Sequence, residues 1–384
     1  MKYRHYGSSN MRVSEIGLGG EYLEGKSYEC VKSTVDAAFA AGINILDCFM
    51  SEPEVRTNLG RALRGRRDQM AIQGHFRAIW KNGQYGRTLD AGETELFFTD
   101  LLERLETNYI DIGMLHMVDN DKDLEAIQEG GILEYALQLK EKGVIKKLGM
   151  SSHNSETALK AVKAGLLDGL MLSVSPAYDL IPAEETSIQL TKETLLAGAR
   201  SGMDPVRAAL YRECEMRGVA ITTMKTFGAG LLLDARSSPF GVSMSIYQCI
   251  HYALTRPAVA SAMLGMQTAQ EVMCAAGYDK ASAQEKDYTK ILTLSPAFSA
   301  AGQCVYCNHC LPCPAGLNIG QINKYLDLAE MGGVSPTLQG HYDSLPHQAS
   351  ECLHCATCEK SCPFGVKVVR RMKRAVAVFE TKKQ

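Results

Sequence analysis

The sequence predicts a (β/α)8 TIM barrel followed by a small cysteine-rich domain, and three observations carry that reading. Between Val13 and Met266, short β-branched or apolar runs alternate eight times with longer amphipathic segments, the count such a barrel requires. Glycine stands where helices should stop, at Gly42, Gly143, Gly165 and Gly218. Past the last alternation, eight cysteines fall in two tight runs between Cys304 and Cys362. A doubly wound open sheet would more usually carry a glycine-rich phosphate loop after its first strand. Gly17-Leu18-Gly19-Gly20 is too short and wrongly spaced for one.

Taken in order, Lys2–Gly7 with Ser8-Ser9-Asn10 reads as a hairpin entering the first barrel strand. The expected strands are Val13–Leu18, Ile43–Asp47, Met70–Gly74, Ile110–His116, Ile145–Met150, Leu170–Val174, Val219–Met224 and Val259–Leu264. The expected helices are Tyr28–Ala41, Glu54–Arg64, Glu93–Glu106, Leu124–Glu141, Glu156–Ala164, Pro205–Arg217, Ser245–Thr255 and Gln270–Ala276. Two inserts, Pro176–Met203 and Leu231–Val242, follow strands and so belong over the C-terminal face, where barrels bind ligands. Lys280–Ala300 is charged, with a helical pattern and no strand. The expected organisation is a barrel over 1–280, a helical linker over 281–299 and a ferredoxin-like two-cluster domain over 300–384.

The last part rests on cysteine spacing. The runs are Cys304-x-x-Cys307-x-x-Cys310-x-x-Cys313-Pro314 and Cys352-x-x-Cys355-x-x-Cys358-x-x-x-Cys362-Pro363. The second has the spacing of bacterial two-cluster ferredoxins, and the first lacks one residue before its fourth cysteine. Three closely spaced thiolates bind one cubane, while the fourth, before proline, leaves toward its neighbour. Two [4Fe-4S] clusters are therefore expected, one on Cys304, Cys307, Cys310 and Cys362, the other on Cys352, Cys355, Cys358 and Cys313. Zinc sites also use C-x2-C pairs but do not call for four cysteines in one run. Disulfides fit least, since nothing at the N-terminus resembles a secretion signal. Cys30, Cys48, Cys214, Cys249 and Cys274 lie in apolar segments and read as small core residues.

Bulk properties narrow the partners. The 384 residues suffice for one large and one small domain, and a net charge of −2 offers no broad basic surface to nucleic acid or anionic lipid. No apolar run of about 18 residues occurs, so no membrane span is expected. A cytoplasmic protein follows, where thiols stay reduced. Val366–Phe379 alternates apolar with basic residues, including Arg370, Arg371, Lys373 and Arg374. That is a solvated helix face, or a landing surface for an acidic electron donor such as a ferredoxin or flavodoxin.

Strand alternation aligns Ile43, Ile45 and Asp47 on one face and Ile112, Met114 and His116 on another. An aspartate and a histidine thus reach the same end of one cavity, with His75 ending the third strand. Three ionisable groups on consecutive strands make a proton-transfer site for a small substrate. The plainer reading is a structural histidine and a loop-capping aspartate.

These residues carry a resemblance. Ile45-Leu46-Asp47, Asn58-Leu59-Gly60-Arg61-Ala62-Leu63, Asn108-Tyr109-Ile110-Asp111 running to Leu115-His116, and Lys147-Leu148-Gly149-Met150-Ser151 resemble successive blocks of the aldo-keto reductase family. Ser175-Pro176-Ala177-Tyr178-Asp179, Met224-Lys225-Thr226-Phe227 and Cys304–Pro314 are similar to its branch with a C-terminal ferredoxin-like extension. The resemblance implies carbonyl reduction by nicotinamide hydride at an Asp, Tyr, Lys and His tetrad. Asp47 and His116 match two of the four. Where the family has its Tyr acid this chain has Glu52 before Pro53, and where it has Lys this chain has His75. Protonating an alkoxide here needs another acid, with His116, His75 and Glu52 as candidates.

By the same resemblance, Gly19, Ser151, Lys225, Gly228 and Gln267 fall in cofactor-binding blocks. Gln267 replaces the arginine and Ala275 the asparagine expected around an adenosine 2′-phosphate, which removes the bidentate contact that favours NADPH. Hydride carries two electrons whereas a cubane takes one at a time. FMN at the seventh and eighth strands would couple them, although no residue demands it. The expected function is an iron-sulfur oxidoreductase acting on a small organic substrate, with the clusters beside the barrel mouth. The alternatives are a nicotinamide-dependent carbonyl reductase with structural clusters and a non-catalytic redox sensor.

Overall fold

Residues 1–179, 203–289, 291 and 302–381 are described by a computed structural model. Eight parallel strands close into a barrel: Ile16–Gly19, Ile45–Cys48, Ala71–Phe76, Ile110–Leu115, Ile145–Ser152, Gly169–Ser173, Ala220–Met224 and Val259–Gly265. Each pairs with its sequence neighbour, and the eighth closes on the first with Ala262 opposite Ile16. Apolar side chains fill the space between strands and helices, while Ile45, Ile112, Met114, Met171 and Met263 fill the interior. The alternation in the sequence is therefore the pleat of a closed sheet covered by helices.

Two expectations need correction, and one element is new. The run Val13–Leu18 is not one strand. Arg12–Ser14 pairs with Tyr3–His5 in the N-terminal hairpin, and the barrel strand begins at Ile16. Ser14 drives the break, its hydroxyl donating to the Ile16 carbonyl and its amide to Asn44. The helix expected over Leu124–Glu141 is two, Asp121–Glu129 and Ile132–Glu141, separated at Gly130-Gly131, where Gly131 takes φ 84°. Between the third strand and the following helix lies a hairpin that the sequence reading had not assigned, Ala78–Lys81 paired with Gln84–Arg87. Its turn, Asn82-Gly83, is left-handed at both positions (φ 54° and 73°), the geometry a two-residue hairpin loop needs.

Of the expected inserts, Pro176–Asp179 is a helical turn and Leu231–Leu233 a short 3-10 turn, while 180–202 lie outside the described residues. The expected linker retains a helical turn at Ala283–Lys286, and 290 and 292–301 likewise lie outside them. Among the described residues no helix is long and apolar enough to cross a membrane.

The cysteine-rich part adds helices Ile319–Gly332, Pro336–Asp343, Thr357–Ser361 and Val368–Ala375. It shares an apolar core with the barrel, in which Cys249, Tyr252 and Tyr288 join Val305, Leu317 and Ile322. Arg256 donates to the Val305 carbonyl at 2.8 Å, Tyr288 to the same carbonyl at 2.7 Å, and His341 meets Glu215 at 2.6 Å. These contacts fall beyond or on the last turns of helices Ile246–Thr255 and Pro205–Arg217. Barrel helices run antiparallel to the strands, so this is the end where strands begin. Other contacts reach the mouth end of the same helix: Gln248, in the first turn of Ile246–Thr255, donates to the Asp287 carbonyl at 2.6 Å, and Asp287 meets His309 of the first cysteine run at 3.4 Å, so the tail lies along this helix.

One buried carboxylate ties the mouth into this arrangement. Asp179, 1% exposed, accepts from Arg207 Nε and Tyr211 at 2.9 Å each and from Tyr252. Asp179→Ala leaves the buried Arg207 guanidinium without its counter-charge and should cost about 3–5 kcal/mol, read as a lowered urea midpoint of the anaerobic protein.

Candidate active site

Asp47 ends the second strand inside the barrel and is 3% exposed. An ionised carboxylate there requires donors. Gln73 Nε2 supplies one at 2.8 Å and His75 Nε2 another at 2.9 Å, both to Oδ1. Gln73 is held from across the barrel by Thr222, whose hydroxyl donates to Oε1 at 2.9 Å. Gly20 keeps room for this packing, since a Cβ there would stand 2.7 Å from the Asp47 carbonyl.

The chain of contacts continues outward. His75 Nδ1 lies 2.8 Å from His116 Nδ1, and His116 Nε2 lies 2.6 Å from the Tyr85 hydroxyl. Phe49 stacks on the His116 ring, with centroids 5.4 Å apart, and meets His75 and Tyr85 edge-on. Burial pushes His116 well below the usual histidine range, aided by the charges of His75, Arg77, Arg87 and His153. Burial raises the Tyr85 hydroxyl, against the pull of Arg87 and Arg77.

The structure thus brings Asp47, His75 and His116 together, as the strand alternation anticipates. Glu52 is employed elsewhere: its carboxylate caps helix Pro53–Leu63, accepting from the amides of Glu54 and Val55. Tyr85 is the residue that sequence reasoning missed. The Asn82-Gly83 turn signals its hairpin, but nothing local tells that the hairpin folds back onto His116.

The residues expected to hold a nicotinamide cofactor divide. Gly19 lies beside Asp47 in the sheet, where a Cβ would stand 3.1 Å from the Leu264 carbonyl oxygen. Ser151 accepts from the Met117 amide at 2.8 Å, which leaves its hydroxyl proton to donate to an amide. Lys225, half-buried, is lowered by burial, opposed by the charges of Asp119 and Glu21. In the turn at Gly228, the amides of Gly228, Gly230, Leu231 and Leu232 are bound to carbonyls of the same turn. At Gln267 the fit to a 2′-phosphate fails. Its amide donates to the Glu271 carboxylate at 2.7 Å, so an anion already occupies this helix start.

In the tail, Cys304, Cys307, Cys310 and Cys362 line a cavity with Phe364, Val366 and Val368. A second is lined by Cys313, Cys352, Cys355 and Cys358, with Cys310 on the wall between. Burial pushes the Cys304 thiol up to about 12 and Cys307 up to about 11. Among the described residues, no three His, Cys, Asp or Glu side chains converge tightly enough for a single metal ion. The donor set instead rings two spaces, which suits cubanes whose irons stand apart.

Comparison with known proteins follows this geometry. Residues 15–244 match the aldo/keto reductase family, and residues 298–367 match a 4Fe-4S dicluster domain. The chain is 28% identical over 288 residues to the uncharacterized oxidoreductase YqkF of Bacillus subtilis (strain 168), covering 71% of this chain and 89% of that one. It is 27% identical over 219 residues to the aldo-keto reductase YhdN of the same organism, covering 52% of this chain and 62% of that one. The holo form of aldo-keto reductase AKR11C1 from Bacillus halodurans shares the fold at TM-score 0.60 and 21% identity, over 77% of this chain and 97% of that one. With the barrel, the buried Asp47 and His116, and the paired cysteine cavities, the match over 15–244 places the chain in the aldo/keto reductase family, as an oxidoreductase carrying a 4Fe-4S dicluster domain.

Proposed function

We propose that this oxidoreductase interconverts a small carbonyl compound and its alcohol at Asp47, His75 and His116, with two [4Fe-4S] clusters carrying electrons from a ferredoxin- or flavodoxin-type donor. The observation that supports it best is the unbroken line of hydrogen bonds from Asp47 through His75 to His116. Such a line moves a proton to or from a reacting oxygen, which is the part of carbonyl chemistry that a protein supplies.

Cys304, Cys307, Cys310 and Cys362 would hold one cluster, and Cys313, Cys352, Cys355 and Cys358 the other. Their ring-like spacing around two cavities favours cubanes over zinc. Bound there, each cluster supplies single electrons. Lys367, Arg370 and Lys373 are exposed on or beside helix Val368–Ala375, and Val368, Val369 and Met372 of that helix line the second cavity. A cationic edge against a cluster suits an acidic donor. The cytoplasm, where such donors and free thiols persist, is the matching compartment.

A nicotinamide supplying hydride is the second reading, favoured by Ser151 and Lys225 near the mouth. The Glu271 carboxylate then selects NADH over NADPH.

Anaerobically purified protein should contain about eight irons per chain, four to each cubane, and zinc in their place would end the reading. Reductive titration then separates the donors. Cluster bleaching by reduced ferredoxin but not NADH supports the first reading, and bleaching by NADH the second. His116→Ala should abolish turnover while leaving bleaching intact, and unchanged turnover would reject this placement of the site.

A pH dependence of stability follows as well. His116 is neutral in the native state and protonates near pH 6.5 when unfolded. The unfolded state therefore binds more protons below that pH, so stability is present above about 6.5 and lost as pH falls toward the depressed native value. The urea midpoint should drop between about pH 7.5 and about pH 5.5, and drop less in His116→Asn.

A further inference from the structure

We propose that Tyr85, delivered by the hairpin inserted after the third barrel strand, is the acid that exchanges a proton with the substrate oxygen, and that Asp47, His75 and His116 form a reversible relay behind it. The inference rests on reading the mouth as a carbonyl–alcohol site, and it concerns a residue with no counterpart at the family's Tyr position, where Glu52 stands. Tyr85 is placed for this on both sides. Its hydroxyl meets His116 Nε2 at 2.6 Å, while its side chain is 41% exposed. The hairpin is pinned where it matters: Arg77 donates to the carbonyls of His116 and Thr88, each at 2.9 Å, which fixes both ends of the hairpin beside the histidine.

The direction of the relay follows from counting protons. Two imidazole nitrogens 2.8 Å apart, His75 Nδ1 and His116 Nδ1, share one proton, because two lone pairs repel and two N–H groups collide. His75 Nε2 carries a proton toward the Asp47 carboxylate. Two arrangements satisfy these conditions. In the first His75 is neutral, His116 donates from Nδ1 to His75, and Tyr85 donates to His116 Nε2. The phenol lone pairs then face the mouth, ready to accept a proton from a substrate hydroxyl. In the second His75 is an imidazolium paired with Asp47, it donates from Nδ1, and His116 donates from Nε2 to Tyr85. The phenol O–H then faces the mouth.

These two states differ by one proton, which accounts for the step. A substrate oxyanion takes the Tyr85 proton, forming its O–H bond as the phenol O–H breaks. Tyr85 regains a proton from His116 Nε2, and His116 Nδ1 takes one from His75, which is left neutral with Nε2–H still on Asp47. The reverse sequence deprotonates an alcohol. The surrounding charges decide where the extra proton rests. Arg77, Arg87 and His153 face His116; Arg87, Arg77, Glu21 and Asp119 face Tyr85; and Asp47 faces His75. The relay places the extra proton on His75, whose Nε2 lies 2.9 Å from the Asp47 carboxylate.

The test is nitrogen NMR on the oxidised holoprotein labelled at histidine, which needs no substrate. On acidification His116 should change tautomer, Nε2 moving from an unprotonated to a protonated resonance as Nδ1 moves the other way, in step with protonation of His75. A His116 tautomer that stays fixed across the titration overturns the relay. In Tyr85→Phe the tautomer change should persist, since the His75–His116 pair enforces it, while the Nε2 resonance of each tautomer shifts for want of its phenol partner, with the cluster absorbance unaltered; an Nε2 resonance identical to wild type overturns the role of Tyr85. On any carbonyl the wild type reduces, the same variant should lose about 10²–10⁴-fold in kcat/KM. A protein that switches tautomer yet reduces no carbonyl would sink the proposed function while sparing the relay.

Discussion

A carboxylate sealed inside an apolar barrel is the constraint from which the mouth is built. Asp47 sits in the same interior that Ile45, Ile112, Met114 and Met263 fill, where an unanswered charge is untenable. Gln73 and His75 answer it, and Gln73 is in turn fixed by Thr222 from the far wall. His75 differs from the lysine that the family places there in one decisive way. An ammonium only donates, whereas an imidazole donates from one nitrogen and accepts at the other, so it hands the interaction on to His116. A histidine at this position thus joins Asp47 to His116 in one line of hydrogen bonds.

The second organising feature holds the ends of the molecule together. Asp179 at the mouth bonds Tyr252, whose ring lies under the Arg256 guanidinium at 4.3 Å, and Arg256 reaches Val305 between the first two cysteines of the tail. The Tyr306 ring covers the other side of Arg256 at 5.1 Å. Aromatic faces and carbonyls thereby replace the water that a buried guanidinium gives up. The loops of the barrel mouth and the first cysteine run share one apolar cluster, in which Ala177, Tyr178 and Leu232 join Val305 and Leu317. They belong to one packed unit.

Departures from the family pattern are coherent when taken together. The acid is absent at Glu52, which is spent on a helix cap, and a tyrosine from an inserted hairpin meets His116 instead. The cation expected for a 2′-phosphate is absent at Gln267, and the Glu271 carboxylate occupies the same helix start.

Much of this was legible in the chain. Strand and helix periods are local properties, so the eight strands, the positions of Asp47, His75 and His116 on one cavity, and the two groups of four cysteines could be read from spacing. The break at Ser14 was not, because the serine hydroxyl and Asn44 had to be seen to satisfy the turn. Tyr85 was hidden for a related reason. Asn82-Gly83 announces a hairpin, but the point where its side chains land depends on Arg77 anchoring both ends to the neighbouring strand end. The sequence by itself determined which residues lie on which face of each element, since that follows from bonds a few residues apart. Tertiary structure alone decided that Tyr85 meets His116 and that the cysteine domain packs along helix Ile246–Thr255, because both rest on charged and polar groups brought together from distant parts of the chain.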